Sequence, residues 1–150
     1  MAYLFGIIIF LAASIFIARI VFALPNVEGR VDTIALAPAT SGPIAGAVAK
    51  RSAAHPELSG IAALENSASA FAARVILANA AVSSIDAQYY IWRDDLTGNL
   101  LLDALKRAAD RGVRVRLLLD DNGVSGLDPE LADLDLHPNV EVRLYNPFNL

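Results

Sequence analysis

The chain has 150 residues, 55% of them hydrophobic, and a formal net charge of −4. Its length allows one modest domain with an extension. The acidic balance without a long basic run argues against a nucleic-acid partner, and the absence of cysteine excludes disulfides and cysteine-ligated metal sites.

The chain opens with an apolar segment, residues 3–24, in which Arg19 is the only charge. As a helix this segment would be roughly 33 Å long, which matches the hydrocarbon core of a bilayer. We therefore predict that residues 1–25 are a transmembrane anchor that ends at Pro25. A cleaved signal peptide is one alternative, because residues 21–23 have a suitable small-residue spacing, and a buried core helix is another. Basic residues lie only toward and beyond the C-terminal end of the segment, which favours a cytoplasmic domain but leaves the side of the membrane open.

Residues 26–59 mix alanine, proline, glycine, serine and threonine. No helical or strand period persists there, so we predict a linker with about one helical turn near residues 45–53. We interpret this linker as a plain spacer. The folded domain is then expected to occupy residues 60–150.

Helix and strand patterns alternate in residues 60–150. The predicted elements are a helix at 68–81, a strand at 84–92, a helix from Thr97 to Gly112, a strand at 113–119, a short helix from Asp128 and a strand at 140–145. A strand, a helix and a strand with short connections form a βαβ unit, whose crossover should be right-handed. The predicted fold class is α/β: a βαβ-based, mostly parallel sheet flanked by helices and preceded by one transmembrane helix.

The ends and faces of these helices also follow from the sequence. Asn66 or Ser67 should cap the first helix, and Thr97 can cap the second, with Gly112 just past its end. Asp94-Asp95, just before Thr97, is predicted to be a turn or N-cap region. Asp103 and Arg107 stand one turn apart on the wet side of the second helix and suit an ion pair. Its apolar face is expected to comprise Leu100, Leu101, Ala104, Leu105 and Ala108.

Two adjacent carboxylates, Asp120 and Asp121, follow a predicted strand, where open α/β sheets bind ligands. They would suit a divalent metal or a general base. The Asp-Asn-Gly sequence that begins at Asp121 is also strong turn chemistry, and we favour that structural role and predict no metal site.

The strand before them places Gln88, Tyr90 and Trp92 on one face, with Tyr89 and Ile91 on the other. Gln88, Tyr90, Trp92 and Asp120 are the candidates for lining a cleft. For the strand residues, core packing with one satisfied amide is the more ordinary account, and we favour it.

Three stretches together carry a family resemblance: QYYIW at Gln88–Trp92, RGVRVRLLLDDN at Arg111–Asn122 and HPNVEVRLYNPF at His137–Phe148. In this order and spacing, residues 60–150 resemble the first part of a phospholipase D-type (HKD) domain of the cardiolipin synthase C-like branch. The resemblance implies an enzyme of the bacterial cell membrane that transfers phosphatidyl groups or hydrolyses phospholipids. Its partners would be membrane phospholipids of the phosphatidylglycerol and cardiolipin class, and it needs no cofactor.

The family's catalytic groups are two His-x-Lys-x4-Asp motifs, whose histidine forms a phospho-histidine intermediate. Here His55 and His137 are each followed by proline and lack a lysine two residues later, so we interpret both as surface residues. The resemblance implies that the motifs lie beyond Leu150. The chain is then an amino-terminal fragment with no catalytic residue, inactive alone, whose partner is the remainder of the protein or another chain.

Two alternatives stay open. One is a non-catalytic, membrane-anchored α/β module that associates with another chain. The other is a fragment of a phospholipase D-type nuclease, which the acidic balance and the anchor disfavour. The sequence leaves open the donor lipid, the acceptor alcohol and whether the reaction is transfer or hydrolysis.

Overall fold

The computed structural model describes residues 2–23, 26 and 28–147, and it places an apolar helix and a linker before an α/β domain. Pro25, the predicted end of the anchor, and Phe148, the end of the third family stretch, lie outside these residues. The elements are α1 (Ala2–Val21), α2 (Pro43–Ser52), α3 (Ser67–Ala80), β1 (Ser84–Tyr89), α4 (Leu96–Asp110), β2 (Arg114–Asp120), α5 (Asp128–Asp135) and β3 (Val140–Tyr145). One 3-10 turn, Asp121–Gly123, follows β2.

In the described part of the chain the sheet has the strand order β1-β2-β3, and both pairs are parallel. Ile85 of β1 pairs with Val115 of β2, which pairs with Val140 of β3. The predicted α/β class with a parallel sheet flanked by helices is confirmed. The right-handed crossover stays a prediction.

The hydrophobic core lies between one face of the sheet and the helices of the domain. α4 packs on β2 and on α3, and α5 packs on β3. Alternate side chains of β2 point into this core, and Val115, Leu117 and Leu119 are each at most 1% exposed. The central strand is thus the most deeply buried element.

The buried face of α4 is displaced from the predicted one. Leu105 is 3% exposed and lies in the core, whereas Leu100 is 45% exposed, so its assignment to the apolar face is wrong. Leu102 and Ala109 are buried instead, because α4 contacts both the sheet and α3 and therefore buries a wider arc. The other four predicted positions are confirmed, and Asp103 forms the predicted ion pair with Arg107 on the exposed side.

The helix ends follow the predicted chemistry with one exception. Asn66 caps α3, its side-chain oxygen accepting from the backbone N–H of Ser69 at 2.8 Å, and Gly112 has the positive φ of 89° that a residue beyond a helix end adopts. The cap of α4 is Asp95, which confirms the N-cap assignment of Asp94-Asp95, and Thr97 is not the cap. Asp95 accepts from the backbone N–H of Gly98 at 2.9 Å and from the Thr97 hydroxyl at 2.7 Å, and these hydrogen bonds lower its pKa.

Among the described residues one helix is long and apolar enough to cross a membrane. It covers Tyr3–Val21, its mean hydropathy is 2.6, and none of it is buried against the rest of the chain. Length and composition therefore suit a membrane span, and a signal sequence would have the same properties.

Candidate functional site

The carboxyl ends of the three parallel strands lie at one edge of the sheet, where open α/β sheets bind ligands. β1 ends at Tyr89, β2 at Asp120 and β3 at Tyr145. Gln88, Tyr90, Trp92 and Asp120, the predicted cleft residues, all fall at or just beyond this edge. Whether they line a substrate cleft stays a prediction.

Trp92 belongs to the core. β1 ends at Tyr89, so the strand alternation stops before Trp92, which is 5% exposed. Its ring meets that of Tyr89 edge to face, with ring centroids 4.6 Å apart. The prediction that Trp92 shares a face with Gln88 is therefore wrong, because Tyr89 and Gln88 project to opposite faces of the strand. Gln88 is exposed, and Tyr90 is 68% exposed.

Asp120 is the one buried charged side chain in the described part of the chain, at 8% exposure. Its carboxylate accepts a hydrogen bond from the backbone N–H of Asn122 at 3.0 Å and so closes the turn after β2. This contact is the structural role that the sequence favoured. The neighbouring Asp121 begins the 3-10 turn.

The turn after β2 also packs against the chain that leaves β1. The Trp92 backbone N–H donates to the Gly123 carbonyl at 3.0 Å. A Cβ at Gly123 would lie 1.9 Å from the Tyr90 carbonyl oxygen, so only glycine fits there. Asp120 and Gly123 thereby fix the backbone that carries Tyr90 and Trp92.

Neither histidine is placed for chemistry at this edge. His55 is exposed after α2. The side chain of His137 is 19% exposed; its Nδ1 accepts from the Asn139 backbone N–H at 3.1 Å, and its Nε2 lies 3.3 Å from the Asp110 carboxylate. The surface assignment therefore fits His55, while His137 is partly buried and shapes the turn into β3. Among residues 2–23, 26 and 28–147, no cluster of histidine, aspartate or glutamate could hold a metal ion.

The face of the sheet opposite the core, the open face, carries a charged network. Asp86 of β1 and Arg116 of β2 are register partners, and the guanidinium Nε donates to the carboxylate at 2.6 Å. Glu141 pairs with Arg143 on β3. The hydrogen bond from Arg116 lowers the pKa of Asp86. Burial alone would raise the pKa of Glu141, but hydrogen bonds from Thr33 and Arg143 outweigh it, and the pKa is lowered.

Residues 31–34 of the linker, the strap, lie across the open face. The Arg143 guanidinium donates to the Val31 carbonyl at 2.6 Å, and that of Arg116 to the Thr33 carbonyl at 2.9 Å. A pocket of about 310 Å³ lies between Thr33 and the sheet. The interpretation of the linker as a plain spacer does not account for these contacts.

Sequence reasoning missed the strap. The alternation Val-Arg-Val-Arg at 113–116 and Val-Glu-Val-Arg at 140–143 does place charges on one face of two strands. The register that brings the strands side by side, and the segment that binds there, have no signal in the sequence. α2 is also longer than the single turn expected in the linker.

Comparison with known proteins agrees with the cardiolipin synthase-like resemblance. No protein-family model matches the chain. Cardiolipin synthase C of Escherichia coli (strain K12) is 56% identical over 106 residues, which is 71% of this chain and 22% of that protein. An uncharacterized protein of Helicobacter pylori (strain ATCC 700392 / 26695) is 38% identical over 71% of this chain and 21% of its own length. A third relative, an uncharacterized protein from Helicobacter pylori (strain J99 / ATCC 700824), is 39% identical over 67% of this chain and 20% of its own length.

The chain spans about a fifth of the length of these curated relatives. Among solved structures, that of the archaeal chromatin protein TrmBL2 superposes with a TM-score of 0.43 at 18% identity, over 70% of this chain and 42% of that one. A likeness of this size supports no conclusion on function.

Proposed function

We propose that the chain is the amino-terminal, membrane-attached part of a cardiolipin synthase-like protein of the phospholipase D superfamily, which transfers phosphatidyl groups or hydrolyses phospholipids. The observation that carries the proposal is the 56% identity to cardiolipin synthase C over 71% of the chain. The apolar helix α1 supports it, because an anchor holds the domain at the surface where its substrate lies.

The proposed reaction proceeds through a phospho-histidine intermediate. A histidine attacks the lipid phosphorus, a second histidine protonates the leaving alcohol, and lysines stabilise the charge on the non-bridging oxygens. These groups are proposed to lie in the part of the longer protein outside residues 1–150. His55 and His137 lack the lysine that the motif places two residues on.

This chain would then supply the scaffold of the site. The three parallel strands bring their carboxyl ends to one edge of the sheet. At that edge, the turn that Asp120 closes after β2 and the close contact of Gly123 with Tyr90 fix the backbone that leaves β1. Gln88 and Tyr90, which are exposed at that edge, are the side chains we propose to border the lipid headgroup.

A bacterial strain that makes no cardiolipin tests the proposal. The complete reading frame and a version stopped after Leu150 are expressed in parallel, and lipids are measured by mass spectrometry. We expect cardiolipin from the complete frame and none from residues 1–150. Cardiolipin from residues 1–150, or no change in any phospholipid with the well-expressed complete frame, would overturn the proposal.

The same samples separate the alternatives. A phospholipase D-type nuclease would degrade added DNA and leave phosphatidylglycerol unchanged. A non-catalytic module would change neither substrate, and its reading frame would contain no His-x-Lys-x4-Asp motif. An enzyme of the proposed class requires two such motifs.

A further inference from the structure

We propose that the strap, residues 31–34, docks on the open face of the sheet and sets a short connection between the membrane helix and the domain. This inference shares with the proposed function the premise that α1 is a membrane anchor. Its test measures strap docking and no enzyme activity, so the two proposals can fail separately.

Three arginines on two neighbouring strands hold the strap by its backbone. Arg143 of β3 donates to the Val31 carbonyl at 2.6 Å. Arg116 and Arg114 of β2 donate to the carbonyls of Thr33 at 2.9 Å and Ile34 at 2.8 Å. The strap therefore runs from β3 to β2, and each of the three arginines satisfies a different carbonyl. A hydrogen bond from a charged donor is stronger than one between neutral groups.

Side-chain packing contributes little to this contact. Val31 is 74% exposed and Ile34 is 82% exposed. One strap side chain does take part: the Thr33 hydroxyl donates to the Glu141 carboxylate at 2.8 Å. The open face thus recognises an extended main chain and one hydroxyl, and it does not depend on apolar strap residues.

The two carboxylates of the open face orient the arginines. Asp86 fixes the Nε side of the Arg116 guanidinium, which leaves Nη1 directed at the strap. Glu141 pairs with Arg143 in the same way, and Arg143 directs Nη2 at Val31. Carboxylates that hold the donors in this orientation reduce the side-chain freedom lost when the strap docks.

Docking determines how far the domain can lie from the membrane. Between the end of α1 and the strap, residues 22–30 span at most about 32 Å when fully extended. If the strap were released while α2 stayed against α3, residues 22–42 would form the connection and could span about 75 Å. The strap therefore restricts the domain to the immediate vicinity of the bilayer.

A distance measurement on residues 1–150 in lipid nanodiscs tests the inference. The chain has no cysteine, so Asp32→Cys and Lys106→Cys introduce two unique spin-label sites, one in the strap and one on the exposed side of α4. Pulsed electron paramagnetic resonance should give one narrow distance distribution. Adding Arg116→Met and Arg143→Met should abolish the narrow peak and leave a broad distribution.

Two control variants define what the result means. Arg74→Met removes an arginine that donates to a carbonyl of its own helix, Ala70, and should keep the narrow peak. Val31→Ala with Ile34→Ala should keep it as well, because these side chains are exposed. Loss of the peak in the Val31/Ile34 variant would show that apolar packing holds the strap, and it would overturn the proposal.

Two further outcomes would also overturn the proposal: a broad distance distribution without any arginine substitution, or a narrow one in the double arginine variant.

Trp92 fluorescence checks that each variant is folded, since this side chain is the only tryptophan and is buried. If the double variant fails to fold, Arg143→Met alone should free the Val31 end of the strap and broaden the Asp32 label distances. An unchanged distribution in that folded single variant would contradict the proposal.

Discussion

At the residue scale, Gly123 joins the two strand ends that form the candidate site. Its φ is not positive, so glycine is required there for space: a Cβ would meet the Tyr90 carbonyl oxygen at 1.9 Å. Gly123→Ala should force the two backbones apart and lower the free energy of unfolding by about 1–3 kcal/mol, the usual cost of overpacking. Denaturant unfolding followed by Trp92 fluorescence measures this loss.

Gly60→Ala is the matched control for this substitution. Nothing lies within 4 Å of a Cβ at Gly60, so the free energy of unfolding should stay within about 0.5 kcal/mol of the parent. Equal stabilities of the Gly123 and Gly60 variants would contradict the close approach of the turn after β2 to Tyr90.

The Asp86–Arg116 pair makes the stability of the domain depend on pH. The hydrogen bond from Arg116 lowers the pKa of Asp86 in the folded state. A carboxylate with a lowered folded pKa stabilises the fold above its unfolded pKa, near 4, and this contribution is lost as the pH falls through the folded pKa. We expect the melting temperature to fall as the pH drops below about 4, and Asp86→Asn to reduce that fall.

Thermal melts at a series of pH values, followed by Trp92 fluorescence, check this dependence. Asp133→Asn, on the exposed side of α5, is the control and should leave the acid profile unchanged. Because Asp86 is 40% exposed in its side chain, its contribution is small and weakens with added salt. An identical acid profile in Asp86→Asn would contradict a stabilising role for the pair.

At the element scale, α4 links the sheet to α3, and two of its leucines test which face does so. Leu105 is 3% exposed within the core, and Leu100 is 45% exposed. Leu105→Ala should lower the free energy of unfolding by about 2–5 kcal/mol, through lost transfer energy and a cavity. Leu100→Ala should cost much less, because its side chain is already largely hydrated. Comparable losses in urea titrations would show that the predicted face, with Leu100 inside, was right after all.

The elements themselves were largely predictable because their signals are local. β3 coincides with its predicted range, α3 and β2 lie within one residue of theirs, and α5 begins at the predicted Asp128. For the α4 cap the sequence offered both the Asp94-Asp95 region and Thr97, because both residue types are good caps. The choice of Asp95 depends on where the chain leaves β1. The Asp95 carboxylate accepts hydrogen bonds from both the Gly98 backbone N–H and the Thr97 hydroxyl.

The misses at the candidate site have a different origin. Strand alternation placed Gln88 and Tyr89 on opposite faces, as the structure has them. It failed for Trp92, because β1 ends at Tyr89 to meet the turn after β2. That termination depends on Gly123, 34 positions beyond Tyr89 in the chain. The strap depends on strand register as well, so both features follow from contacts between distant residues that local patterns do not encode.

At the scale of the whole molecule, one face of the sheet is covered by helices and the other by the strap. In the described residues β1 and β3 are the two edge strands. On β3 the Asp135 carboxylate already accepts from the Val142 backbone N–H at 2.7 Å, and an edge strand is where a further strand can pair. The chain spans about a fifth of the length of its curated relatives. We therefore propose that further strands of a longer protein pair with these edges. The anchor, the strap and the sheet would then place such a site next to the bilayer.

The orientation of α1 in the membrane decides which leaflet the domain meets. Basic residues lie only toward and beyond the C-terminal end of the apolar segment: Arg19, Arg30, Lys50 and Arg51. The positive-inside rule then predicts a cytoplasmic domain. Green fluorescent protein fused to the domain should fluoresce in membranes, and alkaline phosphatase fused there should be inactive.

Inserting three lysines after Met1 and replacing Arg19 and Arg30 by glutamine should reverse the orientation and therefore the signals of both reporters. An active phosphatase on the unaltered chain would contradict this orientation, and its release into the soluble periplasm would identify α1 as a cleaved signal peptide.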